Sequence, residues 1–147
     1  MTGTQNHEGI AGVGAAIAYL AGLAEGGASL RESLVSAYGR IVEHERSLGA
    51  RFLEGISTLN GYRLFGQRTM KGRVATFGIA HERLTVTQLS KQLAEEEIFT
   101  WAGNFYALPL TETLGLEPEG MLRIGFLHYN TLDEVDRVIK ALHRIGG

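Results

Sequence analysis

Two short stretches of this chain combine residue types that could do chemistry. The first is the opening Met1-Thr2-Gly3-Thr4-Gln5-Asn6-His7, which runs straight into an apolar segment. Thr4 and Asn6 are both good helix N-caps, and a helix start leaves backbone N–H groups unsatisfied. With the positive end of the helix dipole, such a turn is a ready anion site to which a threonine hydroxyl adds a donor. An ordinary cap facing solvent accounts for the same residues. The second stretch is Gly120-Met121-Leu122-Arg123-Ile124-Gly125-Phe126-Leu127-His128-Tyr129-Asn130. In a strand Leu122, Ile124 and Phe126 share one face, and Arg123, Gly125 and Leu127 share the other. Arg123 then stands off the core beside a glycine, where a planar guanidinium suits a bidentate grip on a carboxylate. A solvated strand arginine, or an Arg–Glu pair, is the plainer alternative.

Other candidates fall away. Gly12-Val13-Gly14 begins like a dinucleotide fingerprint, but no strand precedes it and Ile17 stands where the third glycine belongs. His7, His44, His81, His128 and His143 are scattered without metal-ligand spacing. No nucleophile elbow or Ser-His-Asp order is present. Trp101, Phe105 and Tyr106 gather around Gly103-Asn104, to line a pocket or to close one end of the core.

The elements that must position these residues read as follows. Residues 8–25 form a helix of small residues, apolar all round and therefore expected to be buried. Gly26-Gly27 ends it. Ser29-Leu30-Arg31-Glu32 is a capping box for a long amphipathic helix carrying Leu30, Leu34, Ile41, Leu48, Phe52, Ile56 and Leu59, stopped by Asn60-Gly61. Strands are expected at Tyr62–Phe65, Arg73–Ala80, Ile98–Ala102 and Met121–Tyr129. A helix opened by Thr85–Gln88 carries Leu89, Leu93 and Ile98, and a last helix, Leu132–Ile145, is capped by Thr131–Glu134. The order predicts an α+β fold: long helices, then a small mixed or antiparallel sheet with helices packed on one face.

Composition sets the outer limits. At 147 residues the chain can bury one core, and with 20% charged residues it reads as globular. A net charge of −2 gives no electrostatic reason to expect nucleic acid or an anionic membrane as partner. The absence of cysteine excludes disulfides, thiolate metal sites and a thiol nucleophile within these residues. No basic segment of a signal peptide leads the chain, and the apolar run from Ile10 to Ala24 is shorter than a membrane span needs, so a cytoplasmic location is expected.

Taken in order, these stretches resemble the class V aminotransferases of fold type I, the cysteine desulfurase-like group of pyridoxal-phosphate enzymes. TGTQNHEGIAGVGAAIAYLA resembles the segment that follows the cofactor lysine, and RIGFLHYNTLDEVDRVIKAL the final strand, turn and closing helix. GRVATFGIA with IFTWAGNFYALPL resembles the C-terminal small domain between them, so the likeness spans nearly the whole chain.

The resemblance implies site roles. Gly3 and Thr4 match the turn whose threonine contacts the phosphate of pyridoxal 5'-phosphate bound mainly by the neighbouring subunit of a homodimer. Arg123 matches the arginine that binds the α-carboxylate of the amino-acid substrate. Tyr106, in Gly103-Asn104-Phe105-Tyr106-Ala107, stands where a desulfurase carries its sulfur-accepting cysteine, and a phenol cannot form a persulfide. Transamination, epimerisation or elimination remain open. The family's Schiff-base lysine, the residue stacked on the cofactor ring and the aspartate at its pyridine nitrogen lie upstream of the Gly-Thr turn. Lys71, Lys91 and Lys140 do not match that lysine.

The resemblance therefore implies a single C-terminal domain, with residues 1–59 a helical connector to a large pyridoxal-phosphate domain and 60–147 the α+β small domain. The 147 residues are expected to hold no catalytic residue or metal ligand and to be inactive alone. The alternative is a free-standing, non-catalytic α+β binding or dimerisation module.

Overall fold

The computed structural model describes residues 3–147. The chain divides into two compact units, one ending at His44 and the other beginning at Glu45.

The first unit holds α1 (His7–Gly22) and the start of α2 (Leu30–Ser57). Asn6 caps α1, its side-chain oxygen accepting from the Gly9 N–H at 2.8 Å. Ser29 does the same for α2, accepting from the Glu32 N–H at 3.3 Å. Arg40 and Glu25 pair at 2.9 Å on the surface. The expected burial of α1 is not found: none of its residues is buried, and Ile10, Val13 and Tyr19 are more than half exposed. An apolar pattern records only that a helix favours a covered environment; burial itself requires a surface that packs against it.

The second unit is a four-stranded antiparallel sheet of β1 (Tyr62–Phe65), β2 (Thr76–His81), β3 (Trp101–Gly103) and β4 (Met121–Gly125), in the order β1-β2-β4-β3. The last turns of α2, together with α3 (Val86–Glu95) and α5 (Leu132–Gly146), supply Leu48, Phe52, Ile56, Leu89, Leu93, Val135, Val138 and Leu142 to one core. The sheet contributes Phe77, Ile79, Leu122 and Ile124 from a single face, as period-2 alternation requires. Phe52, Phe77 and Phe126 meet at ring separations of 4.5 to 6.2 Å. The fold class is thus α+β with helices on one face of the sheet.

Caps fix the helix ends. Thr85 with Gln88, and Thr131 with Glu134, form complete capping boxes. α3 ends in a Schellman motif: Glu97 adopts φ +59°, the Ile98 N–H bonds Leu93 C=O at 2.9 Å, and the Glu97 N–H bonds Ala94 C=O at 3.0 Å. Ile98 therefore reaches the core from beyond the helix rather than along its row, and β3 begins at Trp101 instead of Ile98. β2 begins at Thr76, three residues after the expected start, and runs to His81. β4 ends at Gly125, short of the expected Tyr129, because Asn130 folds back: its Oδ1 accepts the Leu127 N–H at 2.9 Å and its own N–H bonds Leu127 C=O. The sequence reading missed α4 (Leu108–Thr113), six residues with proline in the first turn and no side-chain cap.

α5 is tied to α2 by Arg51. Its Nε lies 2.7 Å from Asp136 Oδ1, and a second N–H reaches Oδ2 at 3.2 Å. These hydrogen bonds hold the Asp136 carboxyl below its ordinary range and raise the guanidinium. The Glu134 carboxyl is lowered chiefly by the Thr131 backbone N–H, then by Asn130.

Candidate functional site

The sheet face opposite the helices is built differently. Strand register sets Phe65, Gly78, Arg123 and Trp101 in one row across the four strands. Neighbours in such a row share a face. Arg123 is exposed, whereas Leu122 and Ile124 on either side of it are buried. Gly78 leaves room beside it that the Met121 side chain occupies: a Cβ there would fall 2.3 Å from the Met121 sulfur and would require that flexible side chain to shift. On its other flank, a Cβ at Gly125 would meet only Thr76 Oγ1, at 3.6 Å.

The Arg123 guanidinium carbon lies over the Phe105 ring, 4.9 Å from its centroid. Among the described residues no carbonyl, hydroxyl or carboxylate takes its N–H groups. Arg51 differs in being held by Asp136. Arg73 differs too: it donates to Gln67 C=O and, at 2.7 Å, to Thr76 C=O, and burial lowers its pKa. Arg123 is a fork of donors beside a ring and offered to solvent, a group whose planar geometry suits a planar anion.

Phe105 belongs to the loop 103–107. Gly103 has φ +128°, and two consecutive side-chain-bearing residues, Phe105 and Tyr106, have φ of +55° and +60°. Left-handed backbone is unfavourable for such residues and persists where the surroundings impose it. Here Asn104 imposes it: its Oδ1 accepts the Tyr106 N–H at 3.2 Å, and its C=O accepts the Ala107 N–H at 2.8 Å. Gly120 holds the loop from below. A Cβ at that position, which itself has φ +72°, would lie 2.2 Å from the Gly103 carbonyl carbon. Tyr106 is fully exposed and Trp101 is 64% exposed, so this cluster does not close the core; it rims the open face.

Gly3 and Thr4 lie in the first unit. Gly3 takes φ +98°, and Thr4 is exposed. Asn6, rather than Thr4, caps α1, and the Thr4 hydroxyl makes no hydrogen bond among the described residues. Lys91 and Lys140 sit on α3 and α5, across the sheet from Arg123, and Lys71 lies in the turn before β2. Among the described residues no group of histidine and carboxylate side chains could hold a metal. A cavity of about 490 Å³ lies along the end of α2 and β1, lined by Leu53, Ile56, Leu59, Leu64 and Met70. Arg123 is not among the residues that line it.

A likeness to known proteins accompanies this geometry. The family model described as aminotransferase class-V matches residues 1–138. The chain belongs to the class V aminotransferase family. Within it the similarity runs to cysteine desulfurases. A probable cysteine desulfurase of Pseudomonas putida is 34% identical over 140 residues, which is 95% of this chain and 30% of that protein. Probable cysteine desulfurase 2 of Mycobacterium leprae is 31% identical over 69% of this chain and 24% of its own length. Among solved structures, the Escherichia coli cysteine desulfurase CsdA in an S-sulfonic acid form superposes with a TM-score of 0.73 at 26% identity, covering 97% of this chain and 31% of that one. The chain thus spans less than a third of the length of these relatives.

Pyridoxal phosphate is the cofactor of this family in general. Taken unit by unit, the groups present fit it in part. An unengaged threonine hydroxyl ahead of a helix suits a phosphate oxygen, and Arg123 suits a carboxylate. Among the described residues, the row of Phe65, Gly78, Arg123 and Trp101 contains no lysine.

Proposed function

We propose that these residues are the C-terminal part of a pyridoxal-phosphate enzyme acting on an amino-acid substrate. Residues 1–59 serve as a helical connector and 60–147 as the α+β small domain. Pyridoxal phosphate, when bound, supplies the electron sink for reaction at the substrate's α-carbon. Arg123 receives the α-carboxylate through its paired N–H groups and so fixes which way the substrate lies. Gly3 and Thr4 offer a backbone turn and a hydroxyl to a phosphate held mainly by the neighbouring subunit of a homodimer. Tyr106 occupies the position of the sulfur-accepting cysteine, so a persulfide cannot form there, and the fitting reactions are transamination, epimerisation or elimination. The enzyme would work in the cytoplasm; no described helix is long and apolar enough to cross a membrane.

The observation that carries this reading is Arg123, exposed on the face opposite the core and, among the described residues, without a protein acceptor for its donors. We further propose that the 147-residue polypeptide is inactive alone. Incubation with pyridoxal phosphate and a panel of amino acids should give no turnover, and sustained release of a keto acid, ammonia or an epimer by the purified chain would overturn the proposal.

A second reading, a non-catalytic dimerisation module, is favoured by the exposed apolar residues of α1, Ile10, Val13, Ile17 and Tyr19. Light scattering separates the outcomes. A stable dimer dispersed by Ile10→Asp with Val13→Asp supports self-association through α1, and a strict monomer removes that reading.

A further inference from the structure

We infer that Phe105 is a positioning residue for Arg123. It holds the guanidinium at the open face so that the in-plane N–H forks meet a carboxylate; the inference rests on Arg123 being the carboxylate grip proposed above. Three observations carry it. First, the Phe105 ring is the one partner the structure gives the Arg123 guanidinium among the described residues, at 4.9 Å from the ring centroid. A cation is attracted to a ring face without consuming an N–H donor, so the contact orients the group and leaves its donors free.

Second, the ring is placed there by an unfavourable backbone. Phe105 and its neighbour Tyr106 are both left-handed, held by the Asn104 side chain and by the close approach of Gly120 to Gly103. That arrangement keeps Phe105 only half-buried and adds nothing to the core, whose aromatic members are Phe52, Phe77 and Phe126. Core packing therefore does not explain it. Third, Trp101 stands in register beside Arg123 on the neighbouring strand β3, the strand that leads into the Phe105 loop, so the segment that carries the ring is hydrogen-bonded to the segment that carries the arginine. A long, flexible side chain loses much rotamer freedom when it binds, and an arginine held in advance loses less.

The test follows the side-chain Nε–Hε resonance of Arg123 in the full chain, assigned by its loss in Arg123→Lys. Acetate serves as the carboxylate probe. The wild-type signal should carry the ring-current shift of a group stacked on an aromatic face, and it should move on acetate addition. Phe105→Leu should abolish the ring-current shift and weaken acetate binding about two- to five-fold, the range of an exposed cation–ring contact. Phe105→Tyr should restore both. Backbone amide spectra report whether each variant is folded, and Phe105→Ala provides a second truncation should Phe105→Leu disturb the loop.

A missing ring-current shift in the wild type would overturn the stack. Unchanged acetate affinity in a folded, unstacked variant would overturn the positioning role alone. A stacked wild-type Arg123 that ignores acetate would instead overturn the carboxylate grip, and the positioning role with it.

Discussion

The two faces of the one sheet in the second unit are made to opposite specifications. The covered face presents Phe77, Ile79, Leu122 and Ile124, each at most 4% exposed, to helices whose ends are capped. The open face presents Phe65, Gly78, Arg123 and Trp101 in one row, edged by a loop with two left-handed residues. The strands are the same, and alternation alone separates the sets. Stability is concentrated on one side and the proposed recognition lies on the other, so substitutions on the two faces should separate folding from binding.

The largest effect is expected in the core. Phe52→Ala or Phe77→Ala, each removing a fully buried ring, should lower the unfolding free energy by about 3–5 kcal/mol in urea titrations. Trp101→Ala on the open face should shift it by only about 0.5 kcal/mol. Similar losses from both would erase the contrast. Gly120→Ala, just before β4 and against Gly103, sharpens it. It should cost about 1–3 kcal/mol through backbone strain and should also displace the loop that carries Phe105, a change visible in the Arg123 side-chain resonance. Thr131→Ala, which removes the cap of α5, should cost about 1 kcal/mol and leave that resonance in place.

How far these features could be read from sequence depended on how local their causes are. The capping boxes at Thr85 and Thr131 and the alternation around Arg123 are set within a few residues, and they were legible. The end of β4 was missed because a single side chain, Asn130, terminates it. Six residues are too few for α4 to show a helical period. The exposure of α1 depends on what packs against it, which no property of its own residues determines. At the site, Thr4, Arg123 and Tyr106 were named from sequence, but the Phe105–Arg123 stack and the Gly120–Gly103 approach join segments distant in the chain. The surviving signal was indirect: a glycine directly before a strand, and an aromatic pair after Gly-Asn.

The smallest effects are those of pH, and they belong to the covered side. Asp136 and Glu134 have lowered pKa values, so their contribution is complete above the ordinary carboxylate range and is lost as pH falls through their folded values. Acid unfolding below about pH 4 should therefore begin at α5, and Asp136→Asn should flatten the pH dependence there. At the other extreme, burial pushes Tyr62 up to about 12, and its hydroxyl donates to Leu142 C=O at 2.7 Å. That contribution is present below pH 10 and lost as pH rises toward 12, so one tyrosine should ionise late when followed by ultraviolet absorbance.

The most direct measurement of the central claim is a backbone amide map of the 147-residue chain titrated with acetate. Shifts confined to the open face, at Gly78, residues 101–107 and residues 121–125, with the amides of α3 and α5 unmoved, are the predicted result. Shifts scattered over the exposed arginines of the helices, with Arg123 and its neighbours no more affected than the rest, would contradict the division of this sheet into a face that folds and a face that binds.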